Sequence, residues 1–302
     1  MCGGAGSVAY PGGAERMPLF SLVLATCGRS NTLDRLLDSL LAQACQDFEL
    51  LVVDQNPDDR LQPWLARAAG AGLVLHHLRL GRPNLSGARN LGIAQARGAV
   101  VCFPDDDCWY EPDTLARVKD ALALHPPWGA LVACWVEQAA GLSLPCEDGA
   151  VLSLDDWRCF RGGHASSITL FVRAGVLSRY GGFDERMGVG QWYGAGEETD
   201  WVLRVLQGGV VVARSAAARV HHRFAGVDSL PARLDWRAAL RRARGTGAIY
   251  AKHRLPAWVV VRGLLAPLRE AAHWRATGAA RWAGLANFAG RLQGAVTWLL
   301  RH

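Results

Sequence analysis

Three consecutive carboxylates, Asp105, Asp106 and Asp107, close the apolar run Ala99-Val100-Val101-Cys102-Phe103-Pro104. The run reads as a buried strand, so the acids sit at its C-terminal end. Like charges crowded there repel one another unless something positive neutralises them. A hard divalent cation with oxygen ligands is the usual neutraliser, and such a cation often carries a phosphate-bearing substrate. On the triplet alone, a solvated acidic turn before a helix, with Asp113 near its start, is the other reading.

The elements around the triplet decide what it faces. Leu19–Thr26 is apolar and rich in strand formers, and Asn31–Ala44 carries Leu33, Leu36, Leu37, Leu40 and Leu41 at helical spacing. Phe48–Val53 reads as a second strand ending at Asp54, Asp58–Gly70 as a helix and Leu73–Leu78 as a third strand. Ser86–Arg97 reads as a helix with Gly98 as its C-cap, Ala99–Phe103 as the fourth strand and Pro112–His125 as the next helix. This β-α-β-α-β-α-β order with short connections predicts an α/β fold with a mostly parallel sheet and helices on both faces. Ligands of such sheets bind beyond the carboxyl ends of the strands. Thr26, Asp54 and Asp105–Asp107 all fall there. Beyond Trp128 the alternation breaks. Strands are expected over Ala130–Val136, Ile168–Val172 and Val210–Ala213, a helix over Glu198–Gln207, and irregular chain over Leu142–Cys159.

Half of the 302 residues are apolar, enough for a sizeable core. The eight cysteines lack CxxC spacing, and no secretory signal is evident, so reduced thiols and a cytoplasmic setting are expected and a zinc site is not. Residues 1–16, rich in Gly and Ala, read as a disordered lead-in. The net charge of +6 conceals an asymmetry: residues 233–302 hold 13 Lys/Arg against 2 Asp/Glu, whereas residues 1–232 hold 20 against 25. Composition therefore predicts one domain over 17–232 and a separate basic region over 233–302.

Four pieces in order, SLVLATCGR (21–29), LLVVDQNPDD (50–59), NLSGARNLGIAQARGAVVCFPDDD (84–107) and GGFDERMGVGQWYGAGEETDWVLRVLQGG (181–209), make one pattern. The pattern resembles the family 2 glycosyltransferases, over about Pro18 to Arg223. The resemblance implies a GT-A (Rossmann-like) fold and metal-dependent, inverting transfer of a sugar from a nucleoside diphosphate to an acceptor hydroxyl. It places Thr26 and Asp54 at the nucleoside, although Asp54-Gln55-Asn56-Pro57 departs from the usual Asp-Asp-Gly-Ser. Asn84 and Arg89 match the stretch ahead of the acidic motif. In the DxD-like triplet, Asp107 would bind Mg²⁺ or Mn²⁺, and Asp105 or Asp106 the ribose and metal-bound waters. Glu198 falls at the base position, with Asp200 a second candidate, and His221, with His222 on the opposite side of an extended chain, matches a position that reaches the metal or diphosphate. Trp192 and Tyr193 would stack on the acceptor sugar or fill core. Gly181 and Gly182 would permit a tight turn. A non-catalytic sugar-nucleotide-binding or scaffolding relative and a nucleotidyltransferase are the alternatives.

In the basic region, Trp274, Trp282, Leu285, Leu292, Val296 and Leu299 fall near one helical face, with Arg275, Arg281, Arg291 and Arg301 interspersed. Its apolar runs stop short of the roughly 18–20 residues a bilayer span requires. A cationic amphipathic helical appendage can lie on an anionic membrane surface, here the inner face of the cell membrane, or pack on the catalytic domain. Nearness to a membrane would suit a glycan or lipid-linked acceptor. No nucleic-acid-reading module accompanies the charge, and no nucleic-acid partner is expected.

Overall fold

The computed structural model describes residues 8–9, 17–28, 32–136, 146–163, 165–222, 235–273 and 277–302. The chain divides into two compact units. The first holds residues 1–152, 165–182 and 205–223, and the second holds residues 153–164, 183–204 and 224–302. These units do not follow the compositional boundary at residue 232, because 183–204 groups with the basic region.

The first unit is built on a nine-stranded sheet. Its strands are β1 (Val8–Ala9), β2 (Phe20–Thr26), β3 (Phe48–Asp54), β4 (Leu75–Arg79), β5 (Val100–Cys102), β6 (Cys108–Tyr110), β7 (Trp128–Val136), β8 (Leu170–Arg173) and β9 (Val211–His222). The order is β1-β4-β3-β2-β5-β8-β7-β9-β6. Strands β4, β3, β2 and β5 are mutually parallel, and β7 and β9 are parallel, while β1, β8 and β6 pair antiparallel with their neighbours. The sheet is thus mixed, parallel where the β-α-β pattern runs and mixed where it breaks. The lead-in read as disordered supplies β1. Two residues need only a short stretch of edge pairing, and a Gly/Ala-rich segment gives no alternation to announce it.

Strands β2 and β3 are buried along their whole length, as expected for central strands covered on two sides. Helix α1 (Leu33–Leu41) turns Leu33, Leu36, Leu37 and Leu40 inward, and these pack with Phe20, Leu22, Leu24, Leu50 and Val52 in one core. Helices α2 (Gln62–Gly70), α3 (Leu85–Gln95) and α4 (Thr114–Leu124) follow β3, β4 and β6. Gly98 is not a C-cap: α3 ends three residues earlier, at Gln95, and its cap is Ala96. Glycine is required at 98 because a Cβ there would stand 2.5 Å from the Ser21 amide nitrogen. The Gly98 N–H donates to Ser21 Oγ at 2.7 Å, and Ser21 Oγ–H donates to the buried Glu49 at 2.6 Å. Two further helices, α5 (Leu154–Arg158) and α6 (Ala174–Tyr180), flank β8 in sequence, and α5 lies in the stretch read as irregular. Gly181 ends α6 with φ at +75°, which accounts for the glycine there.

The second unit contains α5, the first eight residues of α7 (Glu197–Gln207), and three helices of the basic region: α8 (Trp236–Lys252), α9 (Ala257–Ala272) and α10 (Gly278–Arg301). Small residues let α8 and α10 approach backbone to backbone. A Cβ on Gly247 would lie 2.0 Å from the Arg291 carbonyl oxygen, and one on Gly294 would lie 2.0 Å from that of Arg244. Ala239, Ala283 and Ala286 pack beside this seam. The basic region is therefore a packed helical assembly. Trp274 and Arg275 of its proposed face lie outside the described residues.

Candidate active site

Parallel pairing of β2 and β3 sets Thr26 directly opposite Asp54, and pairing of β3 and β4 sets Asp54 opposite Arg79. Three strand ends are thus level. Asp54 is fully buried, and both of its oxygens are engaged. Oδ1 accepts from the Asn56 N–H at 2.8 Å and from Asn56 Nδ2 at 2.7 Å, while Oδ2 lies 3.0 Å from His77 Nε2. Burial pushes this carboxyl up, but the His77 and Asn56 hydrogen bonds outweigh it and hold the group below the usual carboxylate range. Asn56 Oδ1 accepts from the Gly28 N–H at 2.6 Å, and Gln55 Oε1 accepts from the Asn84 N–H at 2.7 Å. The departure from Asp-Asp-Gly-Ser therefore has a structural logic. Asp54 shapes a turn whose Asn and Gln side chains tie β3 to the loops after β2 and before α3. Asn84 itself caps α3, its Oδ1 accepting from the Gly87 N–H at 3.0 Å.

The triplet splits by role. Asp106 is turned inward, and Thr26 Oγ1 donates to its Oδ2 at 2.7 Å. Asp105 meets Arg89, a nearly fully buried guanidinium from α3, at 3.2 Å, and the same Nη2 donates to Ser167 Oγ at 2.6 Å. Arg89 thereby offsets part of the like-charge repulsion. Asp107 Oδ1 lies 2.9 Å from His222 Nε2. Ligand atoms of Asp105, Asp107 and His222 all fall within 4.8 Å of one another. Two carboxylates and one imidazole suit Mn²⁺ and, with added waters, Mg²⁺.

The structure places His222, not His221, in this group. Both lie in β9, which continues to His222 instead of ending near Ala213. Strand β6 begins right after the triplet and pairs antiparallel with the end of β9, setting Cys108 opposite His222 and Trp109 opposite His221. Alternation along β9 turns His221 away. Its ring stacks on Trp109 at 5.1 Å, and its Nε2 lies 3.0 Å from Glu111 Oε1. The short strand β6 was the missing piece: Cys-Trp-Tyr reads equally well as a turn into α4.

The acids of α7 belong to the second unit. Glu197 is buried and Glu198 half-buried. Asp200 is fully buried, with Oδ1 at 2.7 Å from Lys252 Nζ and 2.8 Å from His253 Nε2, and with Oδ2 accepting from Arg204 Nε at 2.9 Å. Burial pushes its carboxyl up, and the His253 hydrogen bond with the Lys252 and Arg204 charges brings it below the usual range. Tyr193 fills core: its ring meets Trp298 edge-on at 5.3 Å, and its hydroxyl lies 3.3 Å from Thr297 Oγ1. Trp192 is 47% exposed, with the Arg244 guanidinium 3.5 Å over its ring.

Acids, an arginine and a histidine are thus gathered at the strand ends of an α/β sheet, the place where ligands of such sheets bind. Residues 21–142 match glycosyl transferase family 2. The chain is 35% identical over 114 residues to a PGL/p-HBAD biosynthesis glycosyltransferase of Mycobacterium tuberculosis, a match covering 36% of this chain and 44% of that protein. It is 32% identical over 145 residues to the succinoglycan biosynthesis protein ExoO of Rhizobium meliloti, covering 48% and 37%. The chain thus spans less than half the length of these curated relatives. Among solved structures, the mannosyltransferase PcManGT from Pyrobaculum calidifontis, in complex with GDP-Man and Mn²⁺, superposes with a TM-score of 0.60 at 18% identity, covering 94% of this chain and 88% of that one. S. aureus TarS 1-349, in complex with UDP-GlcNAc, gives 0.57 at 15%, covering 93% and 91%. The fold is that of the GT-A glycosyltransferases, and within it residues 21–142 carry the similarity to glycosyl transferase family 2.

Proposed function

We propose that the chain transfers a sugar, with inversion, from a nucleoside-diphosphate sugar to an acceptor hydroxyl. The observation that carries this reading is the meeting of Asp105, Asp107 and His222 at the strand ends, beside the Thr26–Asp106 hydrogen bond. Those three residues would hold Mg²⁺ or Mn²⁺, which when bound offsets the charge growing on the leaving diphosphate. Thr26 fixes Asp106, Arg89 fixes Asp105, and the Asp54–Asn56 turn shapes the nucleoside end. In the transfer, the acceptor oxygen bonds to the anomeric carbon as the bond to the diphosphate oxygen breaks. The electron pair leaves with the diphosphate, and the acceptor proton passes to Glu198. Asp200, buried and held by Lys252, Arg204 and His253, is the poorer base of the two.

Names of the relatives, one in PGL/p-HBAD and one in succinoglycan biosynthesis, favour a glycan or lipid-linked acceptor. Among the described residues, no helix is long and apolar enough to cross a membrane. The basic helices nevertheless expose Trp258 and Val261 on α9 and Trp282, Leu292, Val296 and Leu299 on α10. This apolar face in a strongly cationic region fits an anionic bilayer surface at the cytoplasmic side. Flotation with phosphatidylglycerol vesicles tests it: Leu292→Glu with Leu299→Glu should reduce recovery, and unchanged recovery removes the membrane contact. Deleting the region is the wrong test, because Trp298 is core.

Release of nucleotide from UDP-, GDP- and dTDP-sugars with Mn²⁺, in the presence of octyl glycosides, tests the activity. Asp107→Ala and Glu198→Gln should each lower turnover by two or more orders of magnitude, as removal of a key electrostatic or proton-transfer group does. Turnover by Glu198→Gln at the wild-type rate refutes the base assignment.

A further inference from the structure

We infer that Lys252 and His253, at the C-terminal end of α8, are positioning residues for sugar transfer: they fix the first turn of α7, and with it Glu198. The inference rests on the reading of Glu198 as the base. Lys252 Nζ lies 2.7 Å from Asp200 Oδ1 and also donates to Asp184 Oδ2 at 2.6 Å. His253 Nε2 reaches the same Asp200 oxygen at 2.8 Å. Arg186 closes the cluster on Asp184, with Nη2 at 2.6 Å from Oδ2 and Nε at 2.8 Å from Oδ1. Two acids from the 183–204 segment are thus bound to the two side chains, Lys252 and His253, that close α8. Trp298 of α10 covers the cluster, its ring 5.3 Å from Lys252 Nζ and 4.4 Å from the Arg186 guanidinium carbon.

Backbone contact runs alongside. The Gly194 N–H donates to the Arg241 carbonyl at 3.1 Å, and a Cβ on Gly245 would stand 1.9 Å from the Ala195 carbonyl oxygen. The Asp200 N–H donates to the Gly196 carbonyl at 2.8 Å. Helix α8 therefore presses on the loop that enters α7 and also holds the acid one residue beyond Thr199. Glu198 lies between those two anchor points. A shift of that turn moves the Glu198 carboxylate, and a misplacement of about 1 Å at a reacting group costs on the order of 100-fold in rate. The basic region thus has a role within the reaction, apart from any surface it contacts. Nothing in its charge pattern announces this, since Lys252-His253 is an ordinary helix end.

The test compares Lys252→Met, Lys252→Arg and Glu198→Gln in the transfer assay, with UDP-GlcNAc and GDP-mannose as donors and octyl glycosides as acceptors. Lys252→Met should lower kcat 10- to 100-fold, with the donor KM within threefold of wild type and the circular dichroism spectrum unchanged. Lys252→Arg, which keeps the charge, should restore most of the loss. In the Glu198→Gln background, Lys252→Met should have almost no further effect, because it acts through Glu198. A full, multiplicative loss in that background overturns the inference, as does wild-type kcat for Lys252→Met. Inactivity of Glu198→Gln beside a fully active Lys252→Met sinks the positioning role alone, whereas an active Glu198→Gln sinks the base reading. If Lys252→Met fails to fold, His253→Asn takes its place under the same criteria.

Discussion

The buried pair Asp54–His77 offers a sharp test of how the strand ends around Asp54 are built. Replacing His77 with Phe keeps an apolar ring of similar shape but removes the donor to Asp54 Oδ2. That oxygen is then left with Arg79 Nε at 3.9 Å, too far for a hydrogen bond, while Oδ1 keeps both Asn56 donors. The two side chains are 5% and 0% exposed, so solvent does not soften the loss. A hydrogen bond to a charged group contributes about 1.5–3 kcal/mol, and breaking a buried pair costs up to about 3–5 kcal/mol when nothing else compensates. With two Asn56 donors remaining, about 2 kcal/mol is expected at neutral pH. For a domain of this size that is a fall in Tm of about 4–8 °C.

The pH dependence follows from the sign of the shift. Asp54 titrates below its ordinary value in the folded protein, so the stability it contributes is present above a pH of about 4 and lost as pH falls through the folded pKa. Removing His77 lets that folded pKa rise. The deficit of the variant should therefore be largest near neutrality and shrink below a pH of about 4, where wild type loses the same contribution. Urea unfolding of both proteins between neutral and acid pH measures this, with Asp54→Asn and the double variant closing the cycle. A difference at neutral pH under about 0.5 kcal/mol, or one that grows on acidification, refutes the argument, since surface substitutions commonly give no more than that.

Three further outcomes are expected. By calorimetric titration with Mn²⁺, His222→Ala should weaken binding at least tenfold and His221→Ala should leave it within about threefold, since outer partners alone are worth tenfold or more; equal effects would remove His222 from the ligand set. Gly98→Ala should destabilise the first unit by about 1–3 kcal/mol in urea unfolding, because the obstructing atoms are backbone of β2 and not a side chain that can turn aside. Gly294→Leu should force α8 from α10 and, through α8, lower kcat together with stability; wild-type turnover in that variant would show that the seam does not matter to the reaction.

The β-α-β half was legible because its signals are local. Continuous apolar strands, heptad-like leucines in α1 and acids at strand ends each announce themselves within ten residues or so, and all were found at their places in the sheet. What lay hidden depends on pairings distant in sequence. His222 meets Asp107 because β6 pairs with β9, over a hundred residues apart. Nothing in the sequence around Arg89 tells that it is among the most buried side chains of the chain, drawn inward by Asp105 and Ser167. Gln55 and Asn56 broke an expected pattern, and the break becomes intelligible only once Gly28 and Asn84 are seen to be their partners.

Charge was the least specific signal. A block with 13 cationic side chains and 2 acids reads as a helical region that either lies on an anionic surface or packs on the catalytic domain. Part of that charge has its counter-ions in the chain itself: Lys252 pairs with Asp184 and Asp200, which composition assigns to a different region. A compositional boundary marks where residue statistics change, and an ion pair across it adds to the statistics of neither side. Buried ion pairs are costly to leave half-made, so the acids of 183–204 and the cations of α8 hold the two segments together more firmly than either segment's pattern implies. Some of the region's charge is accordingly turned inward, where Lys252 holds Asp184 and Asp200 together.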